Sequence, residues 1–160
     1  MWWLVRAVWY LRAKAWRMSN KMVRFAGGIE NLTADELDIR ASIARKCGRH
    51  IEAMRCTNLA LTRADISHNT QVLLLLYRAT ELQRQKLMSE AEKVFWDIEA
   101  IINQAPIPEM TQVRVLRTWA KWLKATGAPE GQIKTMLDGA EELARKAGLD
   151  DQVAKVQAGV

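Results

Sequence analysis

Apolar residues recur along most of the chain at spacings of three and four, which is the period of an amphipathic helix. Within the first 25 residues they form two stripes on different sides of such a helix. One stripe holds Leu4, Val8, Leu11, Ala15, Met18, Met22 and Phe25, and the other holds Trp2, Val5, Trp9, Trp16 and Val23. No Gly or Pro interrupts the segment, so the pattern predicts one long amphipathic helix over residues 1–26, ended by Gly27 and Gly28.

Two apolar faces on one helix predict two neighbours. We expect one face to pack on the rest of the chain, which leaves the Trp-containing face to meet something external.

Helical periodicity continues in consecutive pairs between residues 33 and 148, and little in this region favours strands. Thr33 and Ser89 are good N-cap residues, and each has a glutamate three positions later, as in a capping box. Gly48 predicts the turn of the first pair. Residues 149–160 read as a C-terminal tail with at most one frayed helical turn. The predicted fold class is all-α.

A repeat becomes visible when the small residues of the helix pairs are aligned. Ala41, Ala53 and Ala60 recur 38 residues later as Ala79, Ala91 and Ile98. Together with Gly48 in the turn, this arrangement resembles the tetratricopeptide repeat (TPR) family over residues 34–147, although the third pair, from about residue 109, matches only with small shifts. The other interpretation is a generic α-helical bundle.

The resemblance implies three antiparallel helix pairs stacked as a short α-solenoid after the long first helix. Such a solenoid binds protein partners on its concave face, which here would carry Asp35, Asp38, Arg45, Thr80, Gln83 and Arg84. Some members of the family grip a peptide's terminal carboxylate with Lys and Asn. The corresponding positions here hold Asp38, Ser42, Leu73, Tyr77 and Thr80, so binding of such peptide tails is not implied.

The net charge of +6 is concentrated at one end of the chain. Residues 1–25 hold six basic residues and no acid, while the remaining 18 basic residues balance the 18 acids. This asymmetry predicts a docking element for an anionic partner. The candidate docking residues are Trp2, Trp3, Arg6, Trp9, Arg12, Trp16, Arg17, Lys21 and Arg24.

Three kinds of partner fit such a helix. Trp and basic residues favour the headgroup region of an anionic membrane, which predicts a peripheral protein on the cytoplasmic face. A groove on a protein partner, within a membrane complex or in solution, fits equally well. An RNA-associated protein is a weaker alternative because no nucleic-acid-binding signature is present. The helix could also be internal, with its Trp residues buried against the repeats.

The sequence offers no convincing catalytic or metal site. Cys47, His50, Cys56 and His68 would not converge on one ion, and reduced thiols in the cytosol are expected. No phosphate-binding Gly loop or nucleophile motif is present. Trp96, Trp119 and Trp122 are expected in the core or in packing between helix pairs rather than in a ligand cage. No signal peptide or spanning segment is visible. The hypothesis is a non-enzymatic scaffold or accessory subunit without cofactor, metal or small-molecule substrate.

Overall fold

The computed structural model describes the backbone of residues 2–158 and the side chains of residues 7, 8 and 10–158. Over this range the chain forms eight α-helices and no strand. The helices are α1 (Trp2–Phe25), α2 (Ala34–Lys46), α3 (His50–Leu61), α4 (His68–Arg84), α5 (Met88–Gln104), α6 (Glu109–Thr126), α7 (Glu130–Lys146) and α8 (Asp150–Gln157). The predicted all-α class is confirmed.

The chain divides into two compact units, residues 1–70 and residues 71–160. In the first unit α2 and α3 form a hairpin, and α1 packs on α2. In the second unit α6 packs on both α5 and α7, and α8 packs on α7. Most of α4 belongs to the second unit.

One of the two predicted capping boxes is confirmed. The Thr33 hydroxyl accepts from the Glu36 N–H at 3.3 Å, and the Glu36 carboxylate accepts from the Thr33 N–H at 2.9 Å. The prediction for Ser89 is wrong, because α5 begins at Met88 with Leu87 as its N-cap. Ser89 lies inside the first turn, where its hydroxyl donates to Glu90 at 3.1 Å.

The 38-residue period is visible in the helix ends. Helix α2 ends at Lys46 and α3 begins at His50, whereas α4 ends at Arg84 and α5 begins at Met88. Each end is therefore displaced by 38 positions from its counterpart. The chain is thus helical-repeat-like over these two consecutive helix pairs.

The turns within these two helix pairs share one backbone geometry. The Arg49 N–H donates to the Ala44 carbonyl at 2.8 Å, and the Leu87 N–H donates to the Leu82 carbonyl at 2.9 Å, which is the closure typical of a Schellman turn. Gly48 occupies the left-handed position of the first turn, with φ 72°. In the second turn the same position holds a residue with a side chain, Lys86, with φ 63°.

Small side chains make close helix contacts in both units. Ala41, Ala53 and Ala60 are fully buried in the first unit, and Val113, Ala140, Ala144 and Val156 form a core cluster in the second. Helix α8 is longer than the single turn that the sequence suggests. Its Gln152 side chain is buried and accepts from the Arg117 guanidinium at 2.9 Å.

The Trp residues of the second unit differ in environment. Trp119 and Trp122 are buried against Phe95, with ring centroids 5.2 and 5.8 Å from it, as core packing predicts. Trp96 is 54% exposed and so lies outside the core, but it packs edge-on against Trp119 of α6, as the prediction of packing between helix pairs allows. Its position on α5 turns the indole toward the surface beside Trp119.

Candidate docking surface on the first helix

Helix α1 is attached to the α2–α3 hairpin through one buried cation. Arg40 of α2 is 6% exposed, and its guanidinium donates to Ser19 Oγ at 2.9 Å and to Asn20 Oδ1 at 3.2 Å on α1. The same guanidinium donates to Glu52 Oε1 of α3 through two nitrogens, at 2.7 and 3.2 Å. Hydrogen bonds and an ion pair in this number offset the desolvation penalty of burying the charge.

Trp16 is engaged by its own unit. Its side chain is half-buried, and the guanidinium carbons of Arg40 and Arg49 each lie 4.6 Å from its ring centroid. Cation–π contacts of this geometry hold the indole in place. One turn earlier, the Cys47 thiol donates to the Arg12 carbonyl at 3.4 Å. The side of α1 that carries Trp16 and Ser19 therefore faces the hairpin.

A neighbouring side of α1 carries an exposed apolar stripe, here defined as Val8, Leu11, Met18 and Phe25. Leu11 and Met18 are each 62% exposed, and Phe25 is 92% exposed. The expectation that the Trp-containing face looks outward is therefore wrong for the side chains described here. The physical reason is that Ser19 and Asn20, next to Trp16, provide the oxygens that the buried Arg40 requires.

A basic stripe, here defined as Lys14, Arg17, Lys21 and Arg24, runs beside the apolar one, and all four side chains are exposed. Lys14 is three positions from Leu11 and four from Met18, so the two stripes are neighbours on the helix surface. Three of the basic residues were predicted from the sequence. Lys14 was not among the predicted docking residues, although its spacing from Arg17 and Lys21 would have identified it.

A cleft of about 340 Å³ opens where α1 meets the turn between α2 and α3. Arg12, Arg17 and Arg49 line it, together with Ala13, Trp16 and Cys47. None of these lining residues carries a carboxylate. Three guanidiniums around one space can bind a phosphate group through charge-assisted hydrogen bonds. Arg49 comes from the hairpin turn, so no pattern within α1 could have identified it.

The remaining predicted docking residues, Trp2, Trp3, Arg6 and Trp9, have side chains outside the described residues.

The six predicted concave-face residues are divided between the units. In the first unit, Asp35 accepts a hydrogen bond from the Thr70 hydroxyl at 3.0 Å. Burial raises the pKa of Asp38, and the nearby charges of Arg45 and Asp35 act on this carboxyl in opposite directions. In the second unit, the Thr80 hydroxyl donates to the Leu76 carbonyl and Arg84 pairs with Glu81, while Gln83 is half-buried.

Cys47 and Cys56 are free thiols, and burial raises the pKa of Cys56. Within the described part of the chain, no three His, Cys, Asp or Glu side chains are grouped so that they could hold a metal ion. No helix among the same residues has the length and apolarity required to cross a bilayer.

Comparisons of the chain with protein-family models, with curated protein sequences and with solved structures gave no match.

Proposed function

We propose that this protein is a peripheral scaffold that binds an anionic membrane surface through the outward face of α1. The observation that carries the proposal is the pair of adjacent exposed stripes, one apolar and one basic, on a helix without an acidic residue. A helix of this kind lies in the plane of the interface with its apolar side chains among the lipid chains. Each basic residue near an anionic surface adds about 1 kcal/mol of attraction.

The arginine-lined cleft supplies a second contact in this proposal. A lipid phosphate that enters it would meet Arg12, Arg17 and Arg49 together. Because Arg49 is already stacked on Trp16, little side-chain entropy remains to be lost when the phosphate binds. Trp16 thereby acts as a positioning residue. Trp2, Trp3, Arg6 and Trp9 would extend the docking surface toward the N-terminus.

We further propose that the hairpins form a TPR-like frame that holds a protein partner at the cytoplasmic face of the membrane. The support is the 38-residue period of the helix ends and the complete burial of small residues at that period, including Ala41, Ala53, Ala79 and Ala91. In this role the protein is a non-enzymatic accessory subunit, with Asp35, Asp38, Arg45, Thr80, Gln83 and Arg84 as candidate contacts.

A second candidate partner for α1 is a groove on another protein. Leu11, Met18 and Phe25 follow one another at intervals of seven, so they could act as the anchors of a helix lying in a hydrophobic groove. This version predicts no affinity for lipid vesicles. An RNA partner likewise predicts no vesicle binding, together with RNA binding that weakens steeply with salt.

Vesicle flotation of the full chain tests the membrane proposal. We expect flotation with vesicles of phosphatidylcholine and phosphatidylserine, and much less with phosphatidylcholine alone. Met18→Asp should abolish flotation. Ile39→Asp is the matched control, because Ile39 is 53% exposed on α2 in the same unit. No flotation of the unmodified chain, or equal loss in both variants, would overturn the proposal.

A further inference from the structure

The second unit contains a cleft of about 390 Å³ between α5, α6 and α7. Helix α6 contributes Trp119 and Trp122, helix α5 contributes Glu92 and Trp96, and polar and apolar side chains of α7 complete the lining. The site is distinct from the surface of α1 and uses none of its residues.

Two of the indoles form a corner. The rings of Trp96 and Trp119 are perpendicular, with an interplanar angle of 90° and centroids 5.3 Å apart. Trp119 is fixed from another side by Phe95, which stacks on it at 13°. One wall of the corner is therefore held by the core, and the other is an indole that remains half-exposed. A large exposed aromatic residue beside a cleft is typical of a recognition site.

The charge of the cleft indicates what it recognises. Among the described residues that line it, Glu92 alone is ionisable. Glu92 and Trp96 are four positions apart on α5, so they lie on the same side of that helix. The helix as a whole is acidic, with Glu90, Glu92, Asp97 and Glu99 against Lys93, in a chain whose net charge is positive. Indole faces beside a carboxylate attract a cation.

We propose that this cleft binds a lysine or arginine side chain of a protein partner. The aliphatic stem and the cation of such a side chain pack against the half-exposed indole of Trp96, and the charged end also reaches the Glu92 carboxylate. A cation is favoured over an apolar side chain because only a cation interacts with both the indole quadrupoles and the carboxylate.

Titration of the full chain with two matched amino-acid derivatives tests this assignment. N-acetyl-lysine amide and N-acetyl-norleucine amide have the same aliphatic stem, and only the first carries an ammonium group. The indole N–H signals of Trp96 and Trp119, followed by NMR, should shift with the lysine derivative. We expect the lysine derivative to bind at least about fivefold more tightly. Equal or tighter binding of the norleucine derivative would overturn the proposal in favour of an apolar ligand.

Two carboxylate variants separate local recognition from overall charge. Glu92→Gln should remove the preference for lysine, whereas Glu99→Gln, an exposed residue of the same helix outside the cleft, should retain it. Trp96→Ala should weaken binding of the lysine derivative and leave the thermal midpoint nearly unchanged, since this indole is half-exposed. If Glu99→Gln reduced the preference as much as Glu92→Gln, the cleft would not be the site.

This inference does not depend on the membrane proposal. Vesicle flotation reports on α1 and the titration reports on the second unit, so either can fail while the other stands.

Discussion

The Arg40 guanidinium lies 4.6 Å from the ring centroid of Trp16, and this contact determines which face of α1 looks outward. Arg40 brings its charge into the interior of the first unit, where it requires an aromatic face and several oxygens. Helix α1 offers both on the side of Trp16, Ser19 and Asn20. The apolar stripe is therefore left on the surface, where it becomes available for docking.

Replacing Arg40 should destabilise the first unit strongly. Arg40→Met leaves the Glu52 carboxylate, which is 26% exposed, and the Ser19 and Asn20 oxygens without their partner, so we expect a loss of about 1–3 kcal/mol. Urea denaturation of the full chain measures the loss. Arg55→Met is the control, because Arg55 is an exposed arginine of α3, and we expect it to change the free energy of unfolding by less than about 0.5 kcal/mol. Similar losses in the two variants would contradict the role assigned to Arg40.

Lys86→Gly should stabilise the protein. Lys86 holds the left-handed backbone position that Gly48 occupies in the preceding hairpin, and a side chain there costs about 1–2 kcal/mol. The greater freedom of glycine in the unfolded chain offsets part of this gain, so we expect a net increase of about 0.5–1 kcal/mol.

Gly48→Ala is the reciprocal test of the same turn geometry. A Cβ at this position would meet no atom within 4 Å, so any loss comes from the backbone alone. Thermal unfolding should show opposite signs for the two substitutions, and a gain of stability in Gly48→Ala would contradict the shared geometry.

The capping residues give a matched pair of alanine substitutions. Thr33→Ala removes the hydroxyl that accepts from the Glu36 N–H and should cost about 1 kcal/mol. Ser89→Ala removes a hydroxyl that caps no helix, so it should change stability by less than about 0.5 kcal/mol. The midpoints of urea denaturation measure the stability of both variants. A larger loss of stability in Ser89→Ala than in Thr33→Ala would indicate that Ser89 caps α5.

Asp38→Asn should stabilise the protein at neutral pH. Burial raises the pKa of Asp38 above its ordinary value, with Arg45 opposing the effect, so the folded chain holds this proton more tightly than the unfolded chain. The stability that this group contributes is therefore lost as pH rises through the native pKa. Removing the charge removes this loss.

The pH dependence of this gain distinguishes it from other effects of the substitution. The advantage of Asp38→Asn in urea denaturation should shrink as the pH is lowered below the ordinary aspartate pKa, where both chains are neutral at this position. Asp97→Asn, in exposed surroundings on α5, serves as the control. A gain that did not change with pH would mean that the charge of Asp38 is not its source.

Local signals predict the helices well, because they depend on neighbours in the sequence. The capping box at Thr33 spans four residues and the glycine turn at Gly48 spans six, and both are found in the structure. Ser89 carries the same signal, yet the turn closed between Leu82 and Leu87 starts α5 at Met88, so Ser89 falls within the helix.

The docking surface was only partly predictable, because its orientation depends on residues far apart in the sequence. The periodicity of α1 contains two apolar stripes, and nothing within α1 indicates which of them packs inward. The choice is made by Arg40, 20 and 21 positions away from its oxygen partners on α1. Two other features also depend on residues far apart in the sequence. Arg49 lines the cleft beside residues of α1, and Trp96 of α5 lies at the surface against Trp119 of α6.

Because one guanidinium serves partners on α1 and α3 at once, α1 cannot lift away without removing two of the oxygen partners of the buried Arg40, those of Ser19 and Asn20. The end of α1 around Ser19 and the α2–α3 hairpin should therefore open and close as one cooperative element. Amide hydrogens on that part of the helix should exchange with solvent as slowly as those of the hairpin. This protection depends on the hydrogen bonds of the Arg40 guanidinium.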